Sequence, residues 1–167
     1  MAKHFSNIEN KLKIFEFVSR ARIEFGVLDK DKSIMQTIQV YNLDGTVSEQ
    51  EMPLSDIMYL TENGTINLPA KKILRRINEK INYEIGDVLE NIFANVVNND
   101  WDEADVRNEL ILYNIRINNF LIPNAITEII ASDNVISGLL GQEESQKYTF
   151  DLKKLKKFLK SEIFFTN

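Results

Sequence analysis

Residues 69–98, PAKKILRRINEKINYEIGDVLENIFANVVN, decide the fold. Ile73, Ile77, Ile81, Ile85, Val88, Ile92 and Val96 recur every three or four residues, and Leu74, Leu89 and Phe93 widen the stripe. One apolar face at helical spacing predicts a single long helix from Pro69 to about Asn98. Pro69 suits the first helical position, where a missing N–H costs nothing. At the usual rise per residue the helix is roughly 45 Å long. It is the spine on which everything else must pack.

Toward the N-terminus, Asn63-Gly64 reads as the stop of a short helix, Asp56–Glu62, capped by Ser55. A brief extended stretch, Thr65–Leu68, then leads into the spine. Before the short helix come three strands. Arg22–Leu28 alternates, with Ile23, Phe25 and Val27 on one side and Arg22 and Glu24 on the other, as in a half-buried strand. Ile34–Tyr41 is rich in β-formers, and Asn42-Leu43-Asp44-Gly45 is a turn signal with Gly45 free to take positive φ. Thr46–Met52 alternates Val47, Glu49 and Glu51 against Ser48, Gln50 and Met52. Two polar faces in one strand predict an edge or a hairpin projecting into solvent. An edge bearing Glu49 and Glu51 is guarded against random pairing yet open to a chosen partner. At the start of the chain, Ser6 and Glu9 read as a capping box, followed by Ile8, Leu12, Phe15 and Val18 on one helical face ending before Arg22.

Toward the C-terminus, Asn98-Asn99-Asp100 breaks the spine, and Asp102, Glu103 and Asp105 open a further helix where negative charge suits the dipole. Val106, Leu110, Tyr113, Ile117 and Leu121 form its inner face, and Pro123 is expected to interrupt it. A short helix is expected over Ala125–Ala131. Ser132-Asp133-Asn134, Gly138 and Gly141 then mark loops around Val135-Ile136 and Leu139-Leu140. Asp151 caps a last, lysine-rich helix with Leu152, Leu155, Phe158 and Leu159 on its apolar side. The expected fold is α+β: a small antiparallel sheet with a projecting hairpin, packed on one long helix and followed by a helical C-terminal part. Residues 1–141 make the main domain and 142–167 a basic helical appendage.

The 167 residues suffice for one domain with a real core. With 44% hydrophobic and 27% charged residues, wholesale disorder is excluded. There is no cysteine, and the single histidine is His4. That removes disulfides, thiol nucleophiles, cysteine-based zinc sites, iron–sulfur clusters, Ser–His–Asp triads and multi-histidine metal sites. The net charge of −5 is uneven: residues 147–167 hold six lysines against Asp151 and Glu162, so residues 1–146 carry −9. Such a body does not suit coating nucleic acid. No stretch approaches a membrane helix, and the N-terminus lacks the apolar core of a signal peptide, so a soluble protein made in the cytoplasm is expected.

Few groups offer chemistry. Asp100, Asp102, Glu103 and Asp105 lack the glycine and terminal glutamate of an EF-hand loop, and an acidic helix N-terminus accounts for them. Glu49 and Glu51 share a strand face, but a solvated hairpin does not tune a carboxylate for catalysis. The C-terminal lysines read as the solvated face of an amphipathic helix. Lys71, Lys72, Arg75 and Arg76 form two like-charge i,i+4 rows at the positive end of the long helix, where local energetics disfavours them. Either acids of the body, such as Glu62 and Glu79, compensate, or a partner does.

The stretch Glu62-Asn63-Gly64-Thr65-Ile66-Asn67-Leu68-Pro69-Ala70-Lys71-Lys72-Ile73-Leu74-Arg75 resembles a signature of the tail-completion, or neck, proteins of long-tailed bacteriophages. In that family a strand of the type vGv precedes a hairpin, a short helix ending in E-F-G-T, a spacer, and P-A-R-P-F-L-R opening a long helix. Phe25-Gly26-Val27-Leu28 stands for the strand; Glu62, Gly64 and Thr65 match the first motif, and Pro69, Ala70, Leu74 and Arg75 the second. Asn63, Lys71, Lys72 and Ile73 depart from it. The likeness covers about residues 20–100, and Ser137-Gly138-Leu139 is similar to the family's later TG-L region. It implies a virion protein without enzymatic activity or cofactor, made in the host bacterial cytoplasm. Its place is the neck or tail, as a homo-oligomeric ring beside portal, adaptor or tail proteins. Contacts are then expected at Asp44, Gly45, Glu49 and Glu51 of the hairpin and at Lys71, Lys72, Arg75 and Arg76. Two rivals come from other classes: a small regulatory or inhibitory binding protein working as a monomer or dimer, and, last given so thin a catalytic inventory, an enzyme.

Overall fold

The spine forms as one helix, α3, over Ile73–Asn98, 26 residues long. The computed structural model describes residues 2–41, 44–64, 70–136, 147–149 and 152–166. Ahead of α3 lie α1 (Ala2–Arg20), β1 (Ala21–Val27), β2 (Met35–Tyr41), β3 (Val47–Pro53) and α2 (Leu54–Asn63). After it come α4 (Glu103–Arg116), a π-helical turn (Ile117–Leu121), α5 (Ile122–Ile136), β4 (Lys147–Thr149), α6 (Leu152–Leu155) and β5 (Leu159–Phe165). The class is α+β, as expected, but the strands form two small antiparallel sheets, β1–β5 and β3–β2–β4.

The main core gathers Ile73, Ile77 and Ile81 of α3 with Ile38, Ile57, Met58, Ile117, Ile122, Ile126 and Ile129, and β1 lays Ile23, Phe25 and Val27 against it. A second cluster joins Val18 to Ile92, Val96, Val106 and Leu110. The apolar spacing read along α3 and α4 therefore marks true inner faces. Asp102 caps α4 by accepting from the N–H groups of Ala104 at 2.8 Å and Asp105 at 3.0 Å, while the Asp105 carboxylate accepts from the Asp102 N–H at 3.1 Å. These are a reciprocal capping box.

Several local expectations are corrected. α1 starts at Ala2, so Ser6 lies inside the helix rather than capping it. α2 starts at Leu54 with Pro53 at its cap position, and the Ser55 hydroxyl donates to Asp56 instead. Pro123 does not break the chain of helices. Its missing N–H falls in the first turn of α5, where a proline is tolerated, and the preceding π turn absorbs the change of ladder. Residues 132–136, read as a loop, are helical. Thr65–Pro69, Asn42-Leu43, Ser137-Gly138-Leu139, Gly141 and Asp151 lie outside the described residues.

The C-terminal reading needs the largest correction. The lysine-rich segment makes a single helical turn, α6, and then a strand. β5 pairs along all of β1, from Ala21 opposite Phe165 to Val27 opposite Leu159. Leu152, Leu155 and Leu159 belong to the main core, so this part is built into the body rather than appended to it. Asn118 in the π turn holds the buried Ser161 as a neighbouring strand would. Its amide donates to the Ser161 carbonyl at 3.0 Å, and its own oxygen accepts from the Ser161 N–H at 2.8 Å. Phe17 of α1 stacks on Phe165, and the Arg107 guanidinium of α4 lies over both rings.

Candidate protein interface

The expected contact residues fall on two surfaces. The first is the β2–β3 hairpin, in register from Met35 opposite Pro53 to Tyr41 opposite Val47. Ile38 is buried, and Met52 packs on the core, so the base is anchored. Leu54, just beyond Pro53, is fully buried and ties the hairpin to α2. Beyond that base, residues 44–51 are all exposed, Glu49 and Glu51 among them. Asp44 shapes the turn: its carboxylate accepts from the Thr46 N–H at 2.9 Å and from the Thr46 hydroxyl at 2.6 Å. These bonds, the hydroxyl's first, hold the Asp44 carboxyl below the usual range. Gly45 takes φ +81°, a conformation that a side chain resists. β4 covers the other edge of β2, opposite Gln39–Tyr41, which was not foreseen. Among the described residues, β3 and the three-residue β4 are the two edges of this sheet.

The second surface is the start of α3. The helix begins three residues after Ala70, so Lys71 and Lys72 precede it and the two like-charge rows do not exist as helical rows. The Lys71 and Lys72 N–H groups both donate to the Thr61 carbonyl, at 2.7 and 3.3 Å. Lys72 occupies the cap position with a left-handed backbone, φ 53°, and makes no side-chain cap. Glu62 performs the capping from the end of α2. Its carboxylate accepts from Leu74 N–H at 2.8 Å and from Arg75 N–H at 3.2 Å. Arg75 in turn donates to Glu79 at 3.1 Å. The acids of the body thus compensate at Arg75. Lys72 and Arg76 remain exposed, with no side-chain partner among the described residues.

Of the residues behind the phage-protein likeness, Gly26 meets Leu74, and Glu62 meets Leu74 and Arg75. Gly64 stops α2, its N–H donating to Leu60 O at 2.8 Å. Gly26 takes φ +134°, and a methyl group built on it would touch Leu74 at 3.6 Å. Glu62 binds the helix end that carries Leu74 and Arg75. Ala70 is exposed, and Thr65 and Pro69 lie outside the described residues.

The four acids weighed as a cation site are otherwise engaged. Asp102 and Asp105 cap α4, Glu103 pairs with Arg107 at 3.1 Å, and Asp100 pairs with Lys11 at 3.3 Å. No helix among the described residues is long and apolar enough to cross a membrane. Compared with protein-family models, curated proteins and solved structures, the chain matches none at a significant level.

Proposed function

We propose that this chain is a structural virion protein of the phage neck or tail, forming a homo-oligomeric ring that joins the portal to the tail. The observation that carries the reading is the hairpin. Its base is anchored in the core, while residues 44–51 are exposed throughout. An ordered turn held by Asp44 and Gly45 on such a limb suits contact with a neighbour more than stability of the body. The shared motif residues support the same reading. Gly26 of the strand lies against Leu74 of the long helix, Gly64 ends the short helix, and Glu62 of the short helix caps the long one. A signature of shape fits a protein whose task is to assemble.

The test is solution mass together with virion assembly. A ring contains many copies, alone or once a neighbouring portal or tail protein is added, whereas a regulatory module stays a monomer or dimer. Shortening the hairpin around residues 42–45 should preserve the fold and abolish incorporation into virions. Normal virions built from the shortened chain would overturn the reading.

A further inference from the structure

The β2–β3 ladder fixes which backbone groups of β3 face outward. At the base of the hairpin the Leu54 N–H donates to the Ile34 carbonyl at 3.0 Å. That bond brackets Met35 opposite Pro53 as a non-hydrogen-bonded pair, and in an antiparallel ladder the two kinds of pair alternate. Gln36 and Met52, Ile38 and Gln50, and Val40 and Ser48 therefore exchange the bonds that join the strands. Val47, Glu49 and Glu51 turn their N–H and C=O groups the other way, to the outer edge. Among the described residues nothing pairs with that edge. Pro53, the next outward position, has no N–H, so the row of donors stops there. The side chains of the same three residues stand on the face opposite Ile38 and Met52, the face turned from the core. Glu49 and Glu51 are exposed and make no ion pair or side-chain hydrogen bond among the described residues.

An open edge invites another strand, and charge restricts which one. Here it disfavours the chain's own duplicate. Two β3 edges paired antiparallel over all three outward residues would set Glu49 directly opposite Glu49, with Val47 opposite Glu51 on either side, and like charges so placed repel. A cationic side chain at the same place is attracted. We propose that β3 takes up one further strand from another protein, an extended segment with lysine or arginine at alternate positions opposite Glu49 and Glu51. This gives the hairpin contact its partner chemistry and rests on the reading above. Main-chain bonds to Val47, Glu49 and Glu51 supply the attachment, and the two carboxylates choose the partner.

The probe is a short capped peptide alternating lysine with valine, titrated into the isotope-labelled full chain and followed by NMR. In the free chain the amides of Val47, Glu49 and Glu51 should exchange quickly and those of Gln50 and Met52 slowly. The peptide should shift and protect the first three. The same peptide with glutamate for lysine should not bind. Glu49→Gln with Glu51→Gln should weaken the lysine peptide about two- to thirtyfold, and raised salt should act in the same direction. Glu49→Pro removes an N–H of the free edge alone, so thermal unfolding should stay as in wild type while binding is lost. Should proline disturb the hairpin, methylating the lysine backbone nitrogens of the peptide tests the same bonds from the other side and should abolish binding. A lysine peptide that does not bind overturns the proposal, as does equal binding of the glutamate peptide or of the methylated one. Self-association of the wild type that Glu49→Pro abolishes overturns it as well, since the occupant is then a second copy. If hairpin shortening abolishes virion incorporation while Glu49→Pro is incorporated normally, the neck reading stands and this contact does not.

Discussion

Glu62 belongs to one helix and caps another. Its oxygens take the Leu74 and Arg75 N–H groups, twelve and thirteen residues on, so a carboxylate sits where the α3 dipole favours negative charge. Lys72, at the formal cap position, contributes no side-chain bond. Glu62→Ala should cost about 0.5–2 kcal/mol, the usual loss of a cap, read from urea unfolding. Tyr113 is a second residue with a measurable signature. Its hydroxyl donates to the Ile81 carbonyl at 3.1 Å. Burial, and then the nearby Glu84 carboxylate, push the phenol up to about 12 from its ordinary value of 10. The fold favours the neutral phenol, so this contribution is complete below pH 10 and is lost as pH rises toward about 12. Tyr113→Phe should flatten that alkaline decline in thermal stability and cost about 0.5–1.5 kcal/mol at neutral pH.

At the scale of elements, α3 carries the load expected of it. Ile73, Ile77, Ile92 and Val96 are fully buried, and Ile81 nearly so. Ile81→Ala should cost about 2–5 kcal/mol through the cavity it leaves. A loss below about 0.5 kcal/mol in chemical denaturation would mean that the neighbours collapse into the space. The C-terminal strand gives the sharper test. β5 is the partner of β1, and Leu159 and Ser161 are buried. Truncation before Leu159 should therefore leave β1 unpaired and the chain unfolded by circular dichroism. A truncated chain with native-like cooperative melting would restore the view of residues 142–167 as an appendage.

At the scale of the whole molecule, charge adds little to the stability of a single chain. Most ion pairs among the described residues are exposed, as in Arg75–Glu79, and pairs of that kind add little to stability. Lys72 and Arg76 are exposed basic residues at the α3 start with no side-chain partner among the described residues. Reversing both to glutamate should keep the melting free energy within about 0.5 kcal/mol of wild type. The same change should weaken assembly, and raised salt should weaken the wild-type assembly in parallel. Unchanged assembly in a salt series would remove this surface from the interface.

How much was legible in the residues depends on the range of the forces involved. Periodicity is local, so α3, the inner face of α4, the alternation of β1 and the exposed hairpin could all be read directly. Capping is local too where the cap is close in sequence, as with Asp102 and Asp105. The cap supplied by Glu62 was visible only as an acid that compensates the basic helix start, because its bonds reach residues twelve and thirteen positions on, beyond the range of local rules. The C-terminal segment misled for a related reason. Leu152, Leu155, Phe158 and Leu159 fit a helical face, yet Leu159–Phe165 extends because β1 offers a full row of strand partners and Asn118 supplies a further edge at Ser161. Helical spacing over a few residues is a weak preference, and pairing with a distant strand overrides it. The outer stripe of α4 was present in the residues as Ile111, Leu112 and Ile115, but apolar side chains on two sides of a helix do not say which side is inside. Packing against α1 and α3 settled that.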